Sequence, residues 1–145
     1  MSNVSRHISM IRIVAAFALT VFVVWYQPAL SAIVNGTPGS VLVKALAGVV
    51  VAFPVALLAT AGGAIGFWAA RNWRVVSCWF AAGAGVACGI MTRVWFYIPS
   101  DQPAPMPEEA ILGFAIHPFL KLFLAGIVSA FAAALIARWS SRNAG

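Results

Sequence analysis

The chain has 145 residues, 63% of them hydrophobic and 8% charged, with nine Lys or Arg against three Asp or Glu and a net charge of +6. A soluble domain carries roughly 25% charged residues, so no water-facing surface can be built from this composition, and the length leaves room for one domain only. The basic residues flank apolar stretches instead of lining a polar face, which argues against nucleic acid and for an anionic bilayer surface, worth roughly 1 kcal/mol per nearby basic residue.

A hydrocarbon core of about 30 Å needs about 20 helical residues. The sequence predicts four such spans, an all-α integral membrane domain that occupies residues 1–145 as a four-transmembrane-helix bundle. The first span covers residues 11–32. Arg6 and Arg12 before it resemble the start of a signal peptide, but the apolar stretch exceeds the roughly 7–15 residues of a signal core, so the span is expected to stay as a helix. Trp25, Tyr26 and Gln27 precede Pro28 and bring its last turn to an interface. Asn35-Gly36-Thr37-Pro38-Gly39-Ser40 is a turn by its chemistry, since Gly accepts positive φ and Pro cannot continue a helix.

The second span covers residues 41–70, and Pro54 near its middle gives cause for a bend. Arg71-Asn72-Trp73-Arg74 reads as a tight connection that makes spans two and three antiparallel neighbours. The third span covers residues 75–98. Prolines 99, 103, 105 and 107 then exclude a helix. The fourth span, residues 108–137, can be read as one long helix or as a helix broken at Pro118, because the residue before a proline is biased away from helix. A bent or broken helix is the favoured expectation, the broken form being a short interfacial helix before Pro118 and a crossing after it. In both, Pro107 followed by Glu108 and Glu109 suits a helix start.

Basic residues near span ends accumulate on the cytoplasmic side. Arg6, Arg12, Arg71, Arg74, Arg138 and Arg142 all fall in alternate connections or tails, whereas the opposite connections hold Asp101, Glu108 and Glu109, which are all the acids of the chain. The expected topology is N-in/C-in. Arginine outnumbers lysine, and alanine and glycine abound, which fits a GC-rich bacterial genome, so the expected location is a bacterial inner membrane. Trp68, Trp73 and Trp139 would mark the inner interface, and Trp25, Tyr26, Trp95, Phe96 and Tyr97 the outer one.

Lipid tails are as apolar as leucine, so helices in a bilayer associate through close packing of small residues. Gly62 and Gly66 on span two repeat at a spacing of four, as do Ala81, Gly85 and Gly89 on span three and Gly126, Ala130 and Ala134 on span four. A close contact between spans two and three is expected, and one stripe, on span four, could be left for a second copy or a partner protein.

Three cations interrupt the spans: Lys44, Arg93 and Lys121. On the expected topology they converge on the outer leaflet, with His117 one helical turn from Lys121 and the three acids just above. They can snorkel and pair with those carboxylates, or form a cationic pocket for a lipid phosphate or organic anion, in which Arg93 could grip bidentately. Cys78 and Cys88 lie ten residues apart, about 15 Å along a helix, beyond disulfide reach. His7 and His117 fall on opposite sides, so no metal or haem site is expected within one chain, and no cofactor is implied. No motif resembles a nucleophile elbow, a P-loop or a zinc-binding His-Glu-x-x-His helix.

Three functions remain. A non-enzymatic accessory, assembly or scaffolding subunit comes first. A small oligomeric carrier or lipid-handling protein, using Lys44, Arg93, His117 and Lys121, comes second. A membrane-embedded enzyme, with His117 and Glu108 or Glu109 as its acid–base group, comes third.

Overall fold

The computed structural model describes residues 3–97 and 107–145, with the side chains of 3–6, 8, 96, 97 and 107–117 outside the description. Four helices make up the described chain: α1 (Asn3–Val34), α2 (Val41–Ala69), α3 (Cys78–Tyr97) and α4 (Pro107–Asn143). Each holds a stretch long and apolar enough to cross a bilayer, namely Ser9–Val34, Val41–Ala69, Cys78–Trp95 and Pro118–Asn143. The architecture is that of an all-helical, multi-pass membrane protein.

Two expected boundaries change. Residues 70–77 form a turn, so α3 starts at Cys78 and not at residue 75. Pro118 lies inside α4 and does not end it. A membrane helix tolerates an interior proline because neighbouring groups can satisfy the carbonyl it leaves free.

The largest correction concerns neighbours. Among the described residues α2 packs on α1 and α4, and α3 packs on α1 and α4. The ring order is therefore α1–α2–α4–α3, and α2 and α3 stand across the diagonal from each other. The connection spans residues 70–77 and not only the four residues 71–74. Eight residues can reach about 26 Å, whereas the diagonal of four helices spaced by 8–10 Å is about 11–14 Å. Arg71, in the left-handed region at φ 51, turns the chain. Asn72 is buried and donates its side-chain amide to the carbonyl of Ala134 in α4 at 2.6 Å. Val76 is buried. The connection thus lies across the end of the bundle instead of closing a hairpin.

This order brings helices of like direction together. Gly62 of α2 lies against the carbonyl of Phe123 in α4, and one turn later Gly66 lies against that of Ile127. From the other side, Gly126 faces the carbonyl of Ala59. Both helices run the same way, and a Cβ at Gly62 or Gly126 would collide with the partner's backbone. Close backbone approach of this kind is what small residues at a spacing of four permit, and it allows weak Cα–H···O contacts. The α1–α3 pair repeats the device: Gly85 sits on Thr20 and the carbonyl of Phe17, and Gly89 on Val24. The small-residue stripes thus join α2 to α4 and α3 to α1, not α2 to α3. Ala81, Ala130 and Ala134 are fully buried. Ile13, Phe17 and Val21 line one face of α1 at a spacing of four and form the large apolar centre with Phe67, which meets Phe17 edge-on at 6.0 Å.

Candidate functional site

The cations at the end of the bundle away from the chain termini were the strongest chemical lead in the sequence, and the structure divides them. Lys44 and Arg93 line one open cleft of about 400 Å³, with Trp25, Pro28 and Gly48 among its other walls. Lys121 does not line it. Its ammonium lies 5.4 Å from the centre of the Trp95 ring, within range of a cation–π contact. All three cations are half-buried. Asp101 lies outside the described residues, as do the side chains of Glu108, Glu109 and His117.

The two cations of the cleft have definite partners. Lys44 stands in the first turn of α2 and donates to the carbonyl of Thr37 and, at 3.5 Å, to that of Ala32. These oxygens belong to the C-terminal end of α1 and the turn after it, where the helix dipole favours a cation. The turn is set by Gly36 and Gly39, both at positive φ, and by Thr37, whose hydroxyl donates to Ala32 at 2.8 Å. Lys44 therefore ties α2 to the end of α1.

Arg93 reaches across from α3. Its Nη1 donates to the side-chain oxygen of Gln27 at 3.3 Å and to the carbonyl of Val24 at 3.5 Å. Val24 precedes Pro28 by four residues, and Pro28 lies inside α1 without an N–H to give. The proline frees a carbonyl within the apolar span, and the arginine supplies a long hydrogen bond to it. One position away, the indole N–H of Trp25 donates to Thr92 at 2.9 Å. The Thr92 hydroxyl in turn donates to its own helix, at Cys88 or Gly89. Thr92 is fully buried, so the α1–α3 seam carries a connected polar pair.

The composition of the seam could have been anticipated in part. Pro28 marks Val24 as an orphan acceptor, and a half-buried arginine on a neighbouring span is a ready donor. That Gln27 and Trp25 face α3 follows only once α1 and α3 are known to adjoin. The buried amide of Asn72 carried no signal at all, because an asparagine in a turn is expected to face water.

A second feature lies between α3 and α4, the loosest of the four pairings. An apolar groove of about 400 Å³ runs there, floored by Gly83, Ala84, Ala87, Ser129, Ala132 and Ala133. Trp79, 87% exposed, stands at one margin with Ile136. A Cβ added at Gly83 would meet nothing within 4 Å.

No protein-family model matches the chain, and no characterised protein or solved structure matches it significantly. Cys78 and Cys88 are free thiols on α3, one exposed and one buried. What the described side chains offer is hydrogen bonding and close packing between helices.

Proposed function

We propose that this chain is a non-enzymatic accessory or scaffolding subunit of a bacterial inner membrane, with both termini cytoplasmic, that accepts a helix of a partner protein in the groove between α3 and α4. The observation that supports it is the outward-facing floor of that groove. Gly62, Gly66, Gly85, Gly89 and Gly126 are all used inside the bundle. Gly83, Ala87, Ser129 and Ala132 form a further small-residue floor, and its open side faces away from the other helices. Between helices in lipid, such a surface favours close approach of another helix over packing of mobile acyl chains. The arginine asymmetry between connections supports the orientation.

The test is isolation from native membranes in mild detergent. The wild-type chain is expected to co-purify with a larger complex. Gly83→Leu, which adds bulk at a position where a Cβ would meet nothing within 4 Å, is expected to be recovered folded and alone. Repeated isolation of the wild type as a lone monomer would sink this reading.

The alternative is a carrier or lipid-handling protein that holds an anion between Lys44 and Arg93. Their shared cleft favours it. Their bonds to Thr37, Ala32, Val24 and Gln27 place it second, because each cation already has a structural use. Arg93→Gln would abolish transport on this reading while leaving insertion intact.

A further inference from the structure

The other end of the bundle holds an assembled group of cations that the scaffold reading does not use. An open cleft of about 630 Å³ there is lined by His7, Arg71, Trp73 and Arg74. Arg74 also lines an adjoining cleft of about 480 Å³ with Ser9, Arg12 and Ser77. His7, Arg12, Arg71 and Arg74 thus border two clefts that share Arg74 and Val75, between the first turns of α1 and the 70–77 turn.

We propose that this region binds a phosphate-bearing anionic headgroup. Three observations carry the inference. First, the chain has only three acids, Asp101, Glu108 and Glu109, all placed in sequence after α3 has run to the opposite end. Among the described residues no acidic side chain lines either cleft, so the counter-charge for these arginines comes from outside the clefts. Second, the arginines ride on a fixed turn. Asn72 is pinned to Ala134, and its carbonyl accepts from the N–H groups of Val75 at 3.0 Å and Val76 at 3.1 Å. Trp73 packs on Phe67 with ring centres 5.9 Å apart. A ligand therefore meets Arg71 and Arg74 on a backbone that is already held, which reduces the ordering cost of binding. Third, the chemistry matches. A guanidinium fork holds two phosphate oxygens at once, and Trp73 beside it suits the headgroup level of a bilayer. Arg138 and Arg142, exposed on the last turns of α4, line neither cleft and serve as an internal control. The inference is independent of the partner helix proposed for the α3–α4 groove, which shares no lining residue with these clefts.

The test uses the full chain in mild detergent, with bound lipid read by native mass spectrometry. Phosphatidylglycerol is expected to be retained in preference to zwitterionic phosphatidylcholine. The Arg71→Gln/Arg74→Gln variant is expected to bind it about tenfold more weakly. Arg138→Gln/Arg142→Gln removes the same charge and is expected to match the wild type. Equal weakening in both double variants would mean a diffuse field and overturn the site, as would equal retention of the two lipids. Competition with millimolar inorganic phosphate distinguishes the source of the ligand: displacement identifies a site for the phosphate group itself, and persistence identifies a lipid site that also holds glycerol or acyl chains. Should the Arg71/Arg74 variant fail to fold, phosphatidylglycerol with a photoreactive headgroup is applied to the wild type. Crosslinks confined to residues 7–12 and 70–77 support the site, and crosslinks equally frequent at 138–142 overturn it.

Discussion

Arg93 gives a hydrogen bond to Val24, the acceptor in α1 that Pro28 deprives of its helical donor. A cation inside an apolar span is costly, and here its cost is offset by repairing a defect on the neighbouring helix. The two features are therefore coupled. Arg93→Met is expected to lower stability in the wild type and to matter less when Pro28→Ala restores the α1 bond. The coupling expected from a double-mutant cycle is about 0.5–1.5 kcal/mol, the range for interhelical bonds in membranes. Reversible unfolding in mixed detergent measures it, and strict additivity would remove the proposed link.

The glycine seams should respond to added volume in proportion to what they touch. Gly62→Val and Gly126→Val push on the backbone of the facing helix and are expected to cost about 1–3 kcal/mol or more each. Gly83→Val meets open space and is expected to cost little. The same unfolding assay ranks the three, and a ranking with Gly83→Val lowest in stability would contradict the ring order.

Trp25 and Thr92 join α1 to α3 through a side-chain hydrogen bond of 2.9 Å. Thr92→Val removes the acceptor while keeping the shape. The expected loss is about 0.6–1.7 kcal/mol, and Trp25→Phe should then add little more from the hydrogen bond. Indole fluorescence gives a second reading, since Trp25 would lose its bond to Thr92.

Neighbouring turn positions should change stability in opposite directions. Asn72→Ala loses a buried bond to Ala134 and is expected to cost about 1 kcal/mol. Arg71→Gly relieves a left-handed residue at φ 51 and is expected to gain about 1 kcal/mol while weakening phosphatidylglycerol retention. Protease cleavage within residues 70–77 should rise in the first variant and fall in the second.

The number of spans could be read from the sequence because each helix meets the length and hydropathy demanded by a bilayer without help from its neighbours. The turn at Asn35–Ser40 could be read for a similar reason: Gly36 and Gly39 occupy positive φ, as their chemistry suggested. Lateral order could not. Gly62 and Gly85 announce that something approaches closely, but nothing in their spacing names Phe123 or Thr20 as the neighbour. The connection after α2 misled because four residues, Arg71 to Arg74, looked too few to cross a bundle, whereas the turn takes eight. Of the cationic cluster, the shared cleft of Lys44 and Arg93 was visible in their common depth. The separation of Lys121 was not, because it depends on Trp95 being nearer to α4 than the cleft is.

The diagonal placement of α2 and α3 also dictates a sequence of events at the ribosome. The first two helices can pair as they leave the translocon, but the seam at Gly62 and Gly66 waits for residues near Phe123 and Ile127, which are synthesised last. A nascent chain halted before residue 107 would expose that seam to lipid, and any quality-control protease that senses unpaired glycine faces would find it there.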